Sequence, residues 1–162
     1  YQDPKRYAFN LQVYLLNERF RQHQQIIWNG KGGVQDRTIY EDGVFAKVLY
    51  NQGMIDKRDY DTYLSLFANM ANFMKKNNLI VHLDVSAEES LDRIKMRARD
   101  CESTISLDYL KQLHAAYEEF LIDISRVIPV LRVKYSEFKT AEEMANIINE
   151  EFHKMQNIKN IH

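Results

Sequence analysis

The sequence predicts an α/β fold in which strands alternate with helices around a parallel sheet. Three observations predict it. LIVHLDVS at 79–86 is a dense apolar run of strand length, the pattern of a strand buried on both faces. VLRVKYS at 130–136, entered through Pro129, is a second strand-forming run. Around and between them lie stretches with helical spacing of apolar residues, two of them opened by capping boxes.

The elements follow in order. Asp3-Pro4 is an N-cap followed by proline at the first helical position. Tyr7, Leu11, Tyr14, Leu15 and Phe20 then approximate a helical period that ends near Ile27. NGKGG at 29–33 is a turn, and VQDRT at 34–38 is a short extended segment. A helix is expected over 42–51. Asp56 caps another, which carries Tyr60, Tyr63, Leu64, Phe67, Met70, Ala71 and Met74 inwards. After the strand at 79–86, Ser86-x-x-Glu89 opens a helix, and a further helix covers about 106–126. Thr140-x-x-Glu143 opens the last one, and the tail QNIKNIH is expected to fray.

Composition bounds the function. A chain of 162 residues suits one domain, here 1–162. Hydrophobic residues make up 45% and charged residues 28%, enough for a core and too apolar for global disorder. A net charge of −1 argues against a general nucleic-acid or membrane-surface binder. No apolar run approaches the roughly 20 residues of a membrane span. The opening YQDPKRYAF does not read as a signal peptide, and it lacks a methionine, which raises the question of a missing start. Cys101 is the only cysteine, so no internal disulfide can form. The expectation is a reducing compartment, the cytoplasm, with the mitochondrion as the alternative.

RIKMRARDCE at 93–102 gathers Arg93, Arg97 and Arg99 with Glu102 just beyond. Arg93 and Arg97 share a helix face. The pattern alone admits a solvated face, with Glu89 pairing to Arg93, or a clamp on phosphate, for which guanidinium forks are suited. In VQDRTIYED at 34–42, Asp36 and Arg37 stand side by side at an expected strand end, where open sheets bind ligands. Asp36 could hold Mg²⁺, and Arg37 could orient a hydroxyl or a carboxylate; a structural ion pair is the other reading. Gln12 and Arg19 lie seven apart on nearly one stripe with Phe9 and Leu16 nearby. They can read the edge of a base or simply face solvent. The five histidines show no metal-ligand spacing, and Cys101 has no visible histidine partner.

Together these pieces resemble the deoxyribonucleoside kinases, the deoxyadenosine, deoxyguanosine and deoxycytidine kinases. YQDPKRYAFNLQ, DRTIYED, RIKMRARDCE and LDYLKQLHAAYE match the family's ordered motifs over essentially the whole chain. The resemblance implies a P-loop kinase-like three-layer fold, with a parallel sheet and helices on both faces. It implies phosphorylation of a deoxyribonucleoside 5′-hydroxyl by ATP with Mg²⁺ in nucleotide salvage. By the same resemblance, Arg93, Arg97 and Arg99 are arginines of a lid over about 93–105 that closes on the ATP phosphates. Asp36 is the magnesium-side carboxylate, and Arg37 orients the 5′-hydroxyl and the general base. Gln12, Arg19 and Asp42 read the nucleobase, while Tyr1 and Glu102 bond the 3′-hydroxyl. A purine deoxynucleoside or deoxycytidine is expected, and not thymidine. Family members are commonly homodimers, and the helices at 4–27 and 56–76 could form the interface.

The chain departs from the family in lacking the phosphate loop G-x-x-x-x-G-K-[ST]; GKGG has no Ser or Thr after its lysine. The family's general-base glutamate and central first strand also lie upstream of the matched motifs. The expectation is therefore a C-terminal larger part of a longer protein, inactive alone. A different class of function is also open. An accessory subunit of mitochondrial respiratory complex I shares the kinase-like fold as a structural component, and YNQGMIDK at 50–57 resembles it.

Overall fold

The computed structural model describes residues 3–159. Asp3 caps α1 (Pro4–Asn29) by accepting the Arg6 N–H on its carboxylate, and Gly30 ends the helix in the left-handed conformation at φ +67°. An irregular stretch then leads into α2 (Ile39–Asn51) and, past Gly53, into α3 (Lys57–Ala71), capped by Asp56. The chain continues through β1 (Ile80–Asp84), α4 (Ala87–Arg97), a single 3₁₀ turn at Asp100–Glu102, α5 (Leu107–Ile124), β2 (Val130–Lys134) and α6 (Ala141–Lys159).

β1 and β2 pair in parallel, with Ile80 opposite Val130 and Asp84 opposite Lys134. α4 and α5 form the crossover that a parallel pair requires. Both expected capping boxes are present. Ser86 Oγ accepts from the Glu89 N–H at 3.1 Å while Glu89 Oε2 accepts from the Ser86 N–H at 3.1 Å. Thr140 and Glu143 repeat the exchange at 3.2 and 2.7 Å.

The core sits where α1, α2 and α3 meet. Leu16, Ile39, Ala46 and Tyr63 are fully buried, with Phe9, Val13, Phe20, Tyr60, Phe67 and Met70 packed around them. Each large side chain so buried contributes about 1.5–3 kcal/mol.

Several expectations are corrected. VQDRT is not a strand: no described strand lies beside it, Val34 is fully exposed, and unpaired extended backbone makes no sheet. Instead Gln35 Nε2 donates to the Arg19 carbonyl at 3.0 Å, tying the segment to α1. α2 begins at Ile39 rather than Asp42, because extended Thr38 is its N-cap. α3 stops at Ala71, short of 76. On α1 the buried face runs through Ala8, Gln12, Leu16 and His23, so Tyr7, Leu11 and Tyr14 form an exposed stripe instead. Leu64, expected inside, is also exposed. The tail expected to fray is helical as far as Lys159, because α6 continues the turns begun at Thr140.

Candidate functional site

The buried faces of α1 and α2 bring together three polar side chains that the sequence singled out. Gln12 and Arg19 are on α1, and Asp42 is in the first turn of α2. Arg19 Nε lies 3.0 Å from Asp42 Oδ1 without the alignment of a hydrogen bond. Ile39, Asp42 and Ala46 share one face of α2, and Tyr63 of α3 packs against the two apolar members of that face. Gln12 Oε1, Asp42 Oδ2 and the Tyr63 hydroxyl are all buried and make no hydrogen bond. Such groups cost free energy unless something pairs with them. Here they lie on the three mutually packed helices α1, α2 and α3, two of which carry the Arg19–Asp42 pair. Burial pushes the Asp42 carboxyl up to about 6, against the opposing pull of Arg19 and Arg37. Burial first, and then the Asp42 charge, push the Tyr63 phenol upwards. The cluster offers acceptors and a hydroxyl to a flat ligand that carries donors on its edge.

A second group sits at the start of α2. Asp36 is exposed and makes no hydrogen bond or ion pair among the described residues. Arg37 adopts φ +62°, the left-handed region that a side chain rarely enters, and its guanidinium lies 4.8 Å from the Phe45 ring centre. Beside it, half-buried Glu41 accepts from the Tyr117 hydroxyl at 3.2 Å. Burial raises the Glu41 carboxyl, with Arg37 and the Tyr117 hydrogen bond opposing. His82 stacks on Tyr117 at 5.9 Å, and burial lowers its imidazole.

The third group is the segment after α4. Arg93 is firmly held: its guanidinium donates to the Tyr135 carbonyl and, at 3.1 Å, to the Ser136 carbonyl. It also lies over the Tyr135 and Phe138 rings at 5.0 and 4.7 Å. Glu89 is committed to capping Ser86, so the expected Glu89–Arg93 surface pair does not form. Past Ala98, left-handed at φ +50°, the chain turns so that Glu102 accepts from Arg97 at 2.7 Å and approaches Arg99 at 3.5 Å. The three arginines thus divide into one anchored residue and two gathered on one carboxylate. Tyr1, the expected partner of Glu102, lies outside the described residues.

Reading the sequence missed Tyr63, Glu41, Phe45 and Tyr117 as site residues. Tyr63 and Phe45 look like ordinary core aromatics. Glu41 is hidden when α2 is started at Asp42, and Tyr117 meets it only through the packing of α5 on α2. Among the described residues no group of three His, Cys, Asp or Glu side chains could hold a metal ion by itself.

A family model described as deoxynucleoside kinase matches residues 1–157. The chain is 60% identical over 156 residues to a deoxyadenosine kinase of Dictyostelium discoideum, covering 96% of this chain and 64% of that protein. It is 36% identical over 152 residues to the deoxyadenosine/deoxycytidine kinase of Bacillus subtilis, covering 92% and 70%. The solved structure of a deoxyadenosine kinase from M. mycoides with products dCMP and a flexible dCDP bound aligns with a TM-score of 0.79 at 31% identity, covering 92% and 76%. A bovine mitochondrial NADH dehydrogenase subunit is more distant, 30% identical over 156 residues, and this chain covers 46% of its length.

Proposed function

The chain belongs to the deoxynucleoside kinase family, and from that membership we propose that it carries the nucleoside-binding and lid portion of an ATP-dependent kinase acting on a deoxyribonucleoside 5′-hydroxyl in nucleotide salvage. The observation that carries the proposal is the buried Arg19–Asp42 pair, with Gln12 Oε1, Asp42 Oδ2 and the Tyr63 hydroxyl unpartnered beside it. A base edge supplies what these groups lack. Asp42 accepts from an exocyclic amine, and Gln12 can both accept and donate. Thymine has no exocyclic amine, and its methyl group would meet a charge pair that resists desolvation. Deoxyadenosine is the substrate we assign first, in keeping with the relative at 60% identity, with deoxyguanosine and deoxycytidine following and thymidine last.

Arg37 orients the 5′-hydroxyl. Asp36 fits a magnesium ion that is held mostly by nucleotide phosphates, because one free, exposed carboxylate is what such an ion takes from a protein. When bound, the ion neutralises phosphate charge. Arg97 and Arg99 then leave Glu102 for the transferring phosphoryl group, and Glu102 is freed to accept from the sugar 3′-hydroxyl. The exposed stripe of Tyr7, Leu11 and Tyr14 on α1 and Leu64 on α3 suits a homodimer contact. No helix among the described residues is long and apolar enough to cross a membrane. The compartment we assign is the cytoplasm. YNQGMIDK, the stretch that suggested a structural subunit, is accounted for by the end of α2, left-handed Gly53 and the Asp56 cap of α3.

The test is a competition of the four deoxynucleosides on the full-length protein with ATP, read as kcat/KM. Deoxyadenosine is expected to lead and thymidine to trail. Thymidine as the best substrate would overturn the assignment of Arg19 and Asp42.

A further inference from the structure

We propose that Glu41 and Tyr117 are positioning residues for Arg37, forming a half-buried tether that fixes where its guanidinium sits. The proposal rests on the reading of Arg37 given above. Arg37 is exposed, and an exposed arginine samples many rotamers. Its backbone is nevertheless held at φ +62°, a conformation that costs a side-chain-bearing residue about 1–2 kcal/mol and persists only where the surroundings impose it.

Those surroundings form a connected set. The guanidinium rests over the Phe45 ring at 4.8 Å, and Phe45 meets Tyr117 edge to face at 6.0 Å and 90°. The Tyr117 hydroxyl donates to Glu41 Oε1 at 3.2 Å, and His82 of β1 stacks on the Tyr117 ring. Tyr117 is thereby wedged between β1 and α2 and holds the Glu41 carboxylate in place. Arg37 in turn lies near enough to oppose the rise that burial imposes on the Glu41 carboxyl, without a direct ion pair between them. Phe45 supports the guanidinium, and Tyr117 joins Phe45 to the Glu41 carboxylate. Among the described residues no hydrogen bond links this set to the Gln12–Asp42 cluster, although Arg37 and Glu41 both act electrostatically on Asp42.

Two conservative substitutions separate the parts. Glu41→Gln keeps an acceptor for Tyr117 and removes the charge. Tyr117→Phe keeps the ring and removes the donor. Each is made in the full-length protein with its native Arg37 and again with Arg37→Lys, which keeps the charge and loses the fork. Turnover with deoxyadenosine and ATP is expected to drop about ten-fold in each single variant, with KM changed less than about two-fold. In the Arg37→Lys background neither substitution should lower kcat further, because the group they position has already lost its geometry. A purely structural role would not disappear in that background. Single variants that retain wild-type kcat, or effects that multiply with Arg37→Lys, overturn the tether. An Arg37→Lys protein with wild-type kcat overturns the role of Arg37 itself, which is a different outcome. Should one variant fail to fold, the other runs through the same cycle alone.

Discussion

Arg19 Nε lies 3.0 Å from Asp42 Oδ1 across the α1–α2 contact, with 14% and 1% of the two side chains exposed. A pair this buried is costly to break from one side, because the surviving charge stays in the interior without its partner. The cost is about 3–5 kcal/mol. Replacing both members with apolar residues of similar volume removes the problem. Arg19→Met and Asp42→Leu should each destabilise the protein by about 3 kcal/mol, and the double variant by clearly less than the sum. Urea unfolding of the three variants measures this; additive losses would mean that the two charges do not depend on each other.

The same burial makes Asp42 sensitive to pH. Its carboxyl is pushed up to about 6, whereas an aspartate in the unfolded chain titrates near about 4. Between these values the folded state binds more protons than the unfolded one. The contribution of this group to stability is therefore fullest below about pH 4, falls as pH rises through the window, and is flat above about 6. The Tm of the native protein minus that of Asp42→Asn should rise as pH is lowered from 7 to 4.5, and a constant difference would contradict the shift. In the proposed site, protonation also removes the anionic acceptor for an exocyclic amine. The kcat/KM for deoxyadenosine should accordingly drop below about pH 6, and in Asp42→Asn that limb should be missing.

Local chemistry explains which parts of this structure were legible in the sequence. Both capping boxes and the Asp3 and Asp56 caps depend on neighbours a few residues away, and the two strands announce themselves as dense apolar runs; each formed where expected. The buried cluster was legible in part. Gln12 and Arg19 share a stripe by spacing, while Asp42 entered through the motif DRTIYED. The segment 34–38 was misread because a strand depends on what lies beside it, and sequence does not display that. Which face of α1 turns inward was not legible, for a related reason. Tyr7, Leu11 and Tyr14 keep helical spacing as faithfully as Ala8, Gln12 and Leu16, and only the packing of α2 and α3 decides between the stripes. Tyr117 was invisible as a site residue because its partner Glu41 is 76 positions away.

α4 supplies a simple check on its own boundaries. Ser86 and Glu89 exchange two hydrogen bonds with each other's backbone N–H groups. Ser86→Ala should cost about 1 kcal/mol of global stability. It should leave the base preference unchanged, since the cap lies at the opposite end of the helix from the proposed lid. A shift in the ratio of deoxyadenosine to deoxycytidine turnover would show that the two are coupled.

The arginines proposed for the lid invite different expectations although they look alike in sequence. Glu102 accepts from Arg97 at 2.7 and 3.1 Å and lies 3.5 Å from Arg99, and both arginines are largely exposed. Ion pairs of that kind contribute less than about 1 kcal/mol, so exchanging them for phosphate oxygens costs little. Groups that meet charge only as it develops act mainly on turnover. Arg97→Ala and Arg99→Ala should each lower kcat by the equivalent of about 2–4 kcal/mol, with deoxynucleoside KM and Tm little changed. Arg93 is placed otherwise. It ties α4 to the connection between β2 and α6 through two carbonyls and two rings. Arg93→Ala leaves those carbonyls without their donor, at about 1–3 kcal/mol, so it should depress Tm along with kcat. The measurement is a set of three variants of the full-length protein, each assayed for turnover and thermal unfolding. Wild-type kcat in Arg97→Ala or Arg99→Ala would end the lid assignment. An unchanged Tm in Arg93→Ala would show that its contacts with Tyr135, Ser136 and Phe138 are not an anchor.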